Sequence, residues 1–384
     1  MNVHLLKGVG IASVIIAVTA CTGVSSPGLP SSVAPSRVPT SSSTNQPSGM
    51  TVTRPNGITV IGWAPDGRHL LLDSGALEVV DADGRTVTSP TGAVATWIDP
   101  NRLATWTPAQ AGSIDGSVVV AGLDGSTVPI SGSYSGLGFA GDGAGDLTLM
   151  PVGGYGSSPA DRFVTWSNGR VGDFMPGWPL GWSRDGSTLI VATTSPIAGT
   201  AGSSRSVAIA VMIRPFVAKA RPIASLWVDP DYVPVFDSTS THVAFACAAV
   251  GDLGTCHQIV VDLTTDTVHD VGRQPPGLPL TWVRDGGLLL ATRATSGPGT
   301  LFEWNGSAVV ASELPSASWA VAASSGNVAL VTEAADGSHT TRIITSNGAI
   351  AAEMAGIAEA WSADGSAVAI MADSGLQVTL VRVP

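Results

Sequence analysis

The stretch Gly62–Leu72, GWAPDGRHLLL, returns almost unchanged at three later places in the chain. It reappears as GWSRDGSTLIV at 181–191, TWVRDGGLLLA at 281–291 and AWSADGSAVAI at 360–370. In each copy a tryptophan precedes a turn with Asp-Gly, and an apolar, β-rich run follows. Glycine takes a positive φ without a Cβ clash, and aspartate bonds nearby backbone N–H groups, so the pair suits a tight turn. The phrase therefore predicts strand, turn, strand. Weaker copies fill the gaps: TWIDPNRLATW at 96–106, GFAGDGAGDLTLM at 138–150, VFDSTSTHVAFAC at 235–247 and SWAVAASSGNVALV at 318–331. The anchors of the series are Trp63, Trp97, Phe139, Trp182, Phe236, Trp282, Trp319 and Trp361, spaced 34 to 54 residues apart. One large aromatic per repeat predicts packing between neighbouring sheets.

A second hairpin follows most anchors, as in LEVVDADGRTV, RFVTWSNGRV and RIITSNGAI. Asp-Gly and Asn-Gly favour two-residue hairpin turns. Four strands in about 42 residues, repeated about eight times, is the period of a propeller blade. The expected fold is all-β, a single β-propeller over 50–384. After Trp361 the sequence supplies three strands. The strand-like MTVTRP at 50–55 is expected to pair with the last blade, supply its fourth strand and close the ring. The count gives eight blades, or seven if the degenerate repeat at Phe139 or Trp319 merges with a neighbour. These repeats resemble the TolB-like, WD40-like propeller family, whose signature is an aromatic followed by Ser-Pro-Asp-Gly and a strand. Here the tetrapeptide stands as APDG, SRDG, VRDG and SADG: the Asp-Gly is kept and the Ser-Pro is eroded. The resemblance covers 51–384 and speaks to fold more than to function. TolB itself carries an α/β domain ahead of its propeller, and only a tether stands there in this sequence.

The first fifty residues read as an address. Met1–Lys7 has one basic residue, and Gly8–Ala20 is an apolar run ending in Val18-Thr19-Ala20-Cys21. A charged start, a short apolar region and small residues before a cleavage point form a signal peptide, here 1–20. Thirteen apolar residues fall short of the roughly 20 that a membrane-spanning helix needs. The ending resembles the bacterial lipoprotein box, with Val18 in place of the commoner Leu, which implies a diacylglyceryl group on Cys21. An ordinary secretory signal is the alternative. Residues 21–49 continue as a Ser/Pro/Thr-rich tether with too little apolar surface for a core. The expected location is the extracytoplasmic side of the cell membrane, held by lipid.

Of 384 residues only 12% are charged, and the net charge is −11. Lys7 and Lys219 are the only lysines, and no basic cluster exists, so nucleic-acid binding is set aside. Cys247 and Cys256 flank a short loop between two strand-like runs. Outside the cytoplasm such a pair is expected as a disulfide, the alternative being two buried thiols. No metal set and no cofactor motif emerges. GLGFAG at 136–141 matches G-x-G-x-x-G, but turn and strand follow where a helix is required. Asp81-Ala82-Asp83-Gly84 and Asp142/Asp146 lack the twelve-residue calcium pattern. No G-x-S-x-G nucleophile elbow occurs. The propeller of prolyl-oligopeptidase-type enzymes resembles this one, but no hydrolase domain is expected after it here.

Aromatics outside the repeat phase are Tyr155, Trp178, Trp227 and Tyr232. They are candidate rim contacts, with inter-blade packing as the alternative. Three functions compete: a protein-binding scaffold of the cell envelope, expected as a monomer; a small-molecule or glycan receptor at the channel mouth; and a propeller enzyme built on carboxylates meeting in the channel. The first is favoured, because a rigid ring with variable loops offers a broad surface and a tether concentrates it near membrane partners.

Overall fold

Leu70, Leu71 and Leu72 show how the repeat packs. A computed structural model describes residues 49–151, 162–183, 185–193, 207–213, 221–228, 233–250, 257–272, 281–283, 286–291 and 299–383. Leu70 and Leu72 enter one apolar cluster, and Leu71 enters another. Side chains alternate faces along a strand, so this strand is buried on both faces. The run is therefore apolar throughout instead of alternating with polar residues. Leu288 and Leu290 divide from Leu289 in the same way, and Val368 and Ile370 from Ala369.

The described elements are all strands, in four four-stranded and two eight-stranded antiparallel sheets; each eight-stranded sheet holds two consecutive units, numbered with the rest 1 to 8 in chain order. Unit 1 is Thr59–Trp63, His69–Asp73, Leu77–Asp81 and Thr86–Thr88. Unit 2 is Val94–Asp99, Arg102–Pro108, Asp115–Gly122 and the start of the long strand Thr127–Gly141. The end of that strand opens unit 3, with Asp146–Pro151, Arg162–Ser167 and Arg170–Val171. Unit 4 is Trp178–Trp182, Thr188–Ala192, Val207–Ile213 and Arg221–Val228; unit 5 is Val235–Phe236, His242–Val250, His257–Asp262 and Thr267–Gly272. Unit 6 is Thr281–Trp282, Leu288–Ala291, Leu301–Trp304 and Val309–Ala311; unit 7 is Trp319–Ala322, Val328–Glu333, His339–Ile344 and Ile350–Ala355. Unit 8 is Ile357–Trp361, Ala367–Met371 and Gln377–Arg382, and its fourth strand is Gly49–Thr53. Gly49 lies opposite Val381 and Thr53 opposite Gln377.

The core is distributed between units instead of centred in any one of them. One cluster joins units 8 and 1 through Val378, Leu380, Val60 and Leu70. Others join 1 to 2, 2 to 3, 5 to 6, 6 to 7 and 7 to 8, and the largest runs through units 3, 4 and 5. The eight aromatic anchors all pack against these clusters or belong to them.

Register refines the anchor series. In six units the anchor lies opposite the first apolar residue of the next strand, as Trp63 lies opposite Leu70 and Trp361 opposite Val368. In unit 3 that position belongs to Gly141, opposite Leu147; in unit 7 it belongs to Ala322, opposite Val328. Phe139 and Trp319 stand two and three residues upstream. They pack in the core, but not at the repeat position. Alignment on aromatic residues favoured them because side-chain bulk is the stronger signal in sequence, whereas strand pairing follows the backbone.

The repeat position carries a recurring junction. Trp97 Nε1 donates to the Gly62 carbonyl at 3.1 Å, Trp282 Nε1 to Val235 at 2.9 Å, Trp361 Nε1 to Val321 at 2.8 Å and Trp63 Nε1 to Ala360 at 3.1 Å. Each acceptor is the residue just before the repeat position of the preceding unit, with unit 8 preceding unit 1. At Gly141 and Ala322, two repeat positions without an indole, the backbone N–H takes over. Gly141 N donates to Thr96 Oγ1 at 3.1 Å, and Ala322 N donates to Thr281 Oγ1 at 2.8 Å. Thr96 and Thr281 hold the same acceptor position with a side-chain oxygen.

The turns of the phrase also meet. Gly67 has φ +73°, and a Cβ there would lie 3.1 Å from Asp364 Oδ1 of unit 8. Gly365 has φ +71°, and its Cβ would lie 2.2 Å from Ser325 Oγ of unit 7. Glycine thus serves the turn and lets the neighbouring turn approach. Asp364 accepts Ser362 Oγ at 2.6 Å and the Ser366 N–H at 3.0 Å, which closes its turn from within.

Candidate functional site

The inner strands of units 5, 6 and 7 end together around a cleft. Val235, Phe236, Asp237 and Ser238 line it from unit 5, Thr281, Trp282 and Val283 from unit 6, and Ala322, Ala323 and Ser324 from unit 7. Its volume is about 150 Å³. The lining repeats one register position in three consecutive units, so strand pairing itself builds the site.

Asp237 is the charged group of the cleft and is only 4% exposed. Its Oδ2 accepts Thr239 Oγ1 at 2.7 Å and faces His242 Nδ1 at 3.2 Å; its Oδ1 accepts the Thr241 N–H at 2.9 Å. Burial opposes ionisation, but the hydrogen bonds from Thr239 and His242 outweigh it and hold the carboxyl below the usual range. This carboxylate is engaged in building its turn. The His242 ring lies 6.1 Å from Trp282 and 6.0 Å from Trp304, and His269 lies 5.3 Å from Trp304, so an aromatic cluster backs the cleft.

Glu359 has the opposite character. It is the extra residue in a β-bulge between Ala358 and Ala360 on the first strand of unit 8. Bulges re-aim a side chain out of the pleat. Burial alone pushes its carboxyl above the ordinary range. The bulges of units 1 and 4 carry apolar Ile61 and Leu180 at the same register. A second cavity of about 210 Å³ is lined by Ser316, Leu330, Thr332, Thr340, Arg342 and Glu353, with Arg342 Nε 2.8 Å from Glu353 Oε2. Among the described residues no group of three or more His, Cys, Asp or Glu is placed to hold a metal.

Of the four aromatics expected outside the repeat phase, Trp178 is only 6% exposed and packs in the cluster of units 3 to 5. It is a core residue and not a rim contact, because it opens the first strand of unit 4, where both faces are covered. Trp227 is half-buried on the fourth strand of unit 4, with Ala208 and Ala249 as neighbours. Tyr155, Tyr232, Cys21 and Cys256 lie outside the described residues. Cys247 sits half-buried on His242–Val250. The aspartates that evoke calcium loops are turn builders: Asp81 Oδ1 accepts the N–H groups of Asp83 and Arg85 at 2.9 Å. Asp142 Oδ1 does the same for Ala144, Gly145 and Asp146. GLGFAG belongs to the strand Thr127–Gly141.

Sequence reading missed the cleft and Glu359. Aligning SWAVAASSGNVALV on its turn glycine, Gly326 with Gly365, would have placed Ala322 under Trp361. No signal marked Glu359, because a bulge is set by pairing and not by composition.

The outermost strands expose apolar side chains. Ile350 of unit 7 is 62% exposed, as is Phe174 beside the outer strand of unit 3. Val128, Val309 and Val310 are also exposed on fourth strands.

No family model matches the chain, and no curated protein matches it significantly. Solved structures do. BamB from Moraxella catarrhalis is similar at 11% identity and a TM-score of 0.49, over 87% of this chain and 98% of that one. The C-terminal WD40 domain of Sif2 is similar at 12% identity and a TM-score of 0.45, over 87% and 99%. TolB from Acinetobacter baumannii is similar at 12% identity and a TM-score of 0.38, over 85% and 79%.

Proposed function

We propose that the chain is a lipid-anchored, extracytoplasmic lipoprotein whose closed eight-bladed β-propeller holds a protein of the cell envelope. The eight four-stranded units, the pairing of Gly49–Thr53 with Gln377–Arg382 and the junction from Trp63 to Ala360 support the closed ring. The leader ending at Cys21 and the Ser/Pro/Thr tether support the anchor. The observation that carries the scaffold reading is the exposure of Ile350, Phe174, Val309 and Val310 along outer strands. Exposed apolar groups become contact sites for other proteins where they join into a patch.

A disulfide between Cys247 and Cys256 belongs to the same proposal. His242–Val250 pairs with His257–Asp262, and Ala248 lies opposite His257, so the immediate neighbours of the two cysteines are partners across the hairpin. The test is capture in intact cells. A tagged full chain is crosslinked on the native membrane and compared with Cys21→Ala. Enrichment of one envelope protein, lost with the anchor, is expected. A folded, abundant bait that enriches nothing contradicts the scaffold reading.

A further inference from the structure

The structure assigns the cleft where units 5, 6 and 7 meet as a socket for a small planar aromatic molecule that carries an N–H donor, an indole-like ligand. The argument begins with the junctions. At four of them an indole from the later unit lies against the earlier one and donates to a fixed backbone carbonyl. At the junction of units 6 and 7 the repeat position is Ala322. The indole that the repeat would place there is replaced by a methyl group, and the cleft of about 150 Å³ opens at that point, against Thr281, Trp282 and Val283.

Two contrasts set this space apart from its surroundings. Gly141 also lacks an indole, but there the backbone closes the gap: a Cβ on Gly141 would lie 1.9 Å from the Trp97 carbonyl oxygen. Trp319, three residues before Ala322, does not turn back to fill the cleft. It packs into the clusters on either side of unit 7, with its ring 5.6 Å from His339.

The lining suits an aromatic guest. Phe236, Trp282, Val283, Ala322 and Ala323 give it apolar contacts, beside the polar Asp237, Ser238, Thr281 and Ser324. A volume near 150 Å³ is the size of space that takes one small aromatic ring. The acceptor is the Thr281 carbonyl, which stands where Gly62, Val235, Val321 and Ala360 accept an indole N–H. The Thr281 hydroxyl is occupied by the Ala322 N–H, and Ser324 Oγ donates to the Ala363 carbonyl at 2.9 Å, so both hydroxyls are held in place. The inference is independent of the scaffold reading, which uses the outer strands.

The test titrates the full chain with indole and with 1-methylindole, which keeps the ring and loses the donor. Alanine-methyl NMR and calorimetry report binding. Indole is expected to shift the Ala322 and Ala323 methyl signals and to leave Ala64, at the distant junction of units 1 and 2, unmoved. 1-Methylindole is expected to bind about tenfold more weakly, the scale of one lost hydrogen bond. Ala322→Trp is expected to fill the socket, abolish indole binding and leave the melting temperature equal or higher. Unmoved Ala322 and Ala323 signals at saturating indole overturn the assignment. So does indole binding that a folded Ala322→Trp variant retains. Should that variant fail to fold, the wild-type methyl shifts alone decide.

Discussion

The indole of Trp63 donates to the carbonyl of Ala360 at 3.1 Å, across 297 positions of sequence. This bond joins unit 1 to unit 8 in the way that Trp97, Trp282 and Trp361 join their units to the preceding ones. Trp63→Phe keeps most of the packing and removes the donor, and is expected to cost about 1 kcal/mol. Trp63→Ala removes the packing as well and is expected to cost about 3–5 kcal/mol. Urea unfolding of the two variants measures both.

Gly365 separates turn conformation from turn approach. Gly365→Ala meets Ser325 Oγ at 2.2 Å and a φ of +71°. Gly375→Ala meets the same kind of φ, +66°, with no atom within 4 Å. Gly375→Ala is expected to cost about 1 kcal/mol from backbone strain alone. Gly365→Ala is expected to cost more, and the difference between their melting temperatures measures how tightly adjacent turns meet.

The all-β repeat was legible in the sequence because Asp-Gly turns and double-faced apolar strands are local signals. Leu70–Leu72 could be read as one strand without knowing what it packs against. The pairing of Gly49–Thr53 with the last unit was legible for a different reason: an odd strand at each end has one economical partner. The phase of units 3 and 7 was not legible, since Phe139 and Trp319 outweigh Gly141 and Ala322 in any alignment by bulk. The cleft follows from that phase, so it stayed hidden too. Trp178 takes the packing alternative that the sequence left open, since its Pro- and Gly-rich neighbours read equally as loop or strand.

Glu359 sets one limb of the pH dependence. Burial raises its carboxyl above 4.5 in the folded chain, so the native state holds that proton more tightly than the unfolded state does. Its contribution is fully present below the unfolded value and is lost as pH rises through the folded one. Glu359→Gln is therefore expected to melt higher than wild type at pH 7 and to match it near pH 4. Equal melting temperatures at both pH values would show that the carboxyl is well solvated.

Asp185 sets the other limb. Burial opposes its charge, but hydrogen bonds from Ser183, Ser187 and Ser240 outweigh burial and hold it at about 2. Asp364 is held low through Ser362 and Ser366 in the same way. A depressed carboxyl stabilises above its unfolded pKa and loses that effect as pH falls through the folded one. Acid unfolding is expected between about pH 4 and pH 2, and Asp185→Asn should flatten it. A titration followed by circular dichroism measures the slope.

The proposed Cys247–Cys256 bond closes a short loop, and the chain-entropy model assigns such a loop about 2–3 kcal/mol. Reduction is expected to lower the melting temperature of wild type and not that of Cys247→Ser/Cys256→Ser. An equal response in both would mean that the thiols are unpaired.

The most direct measurement is photocrosslinking from chosen positions in intact cells. A photoreactive residue is placed at Phe174, at Ile350 and, as a control in the cleft, at Ser324. A protein-binding scaffold that uses its outer strands predicts one envelope protein crosslinked from Phe174 or Ile350 and absent from Ser324. Crosslinks from Ser324 alone, or none from either outer position in a folded and displayed chain, would contradict it.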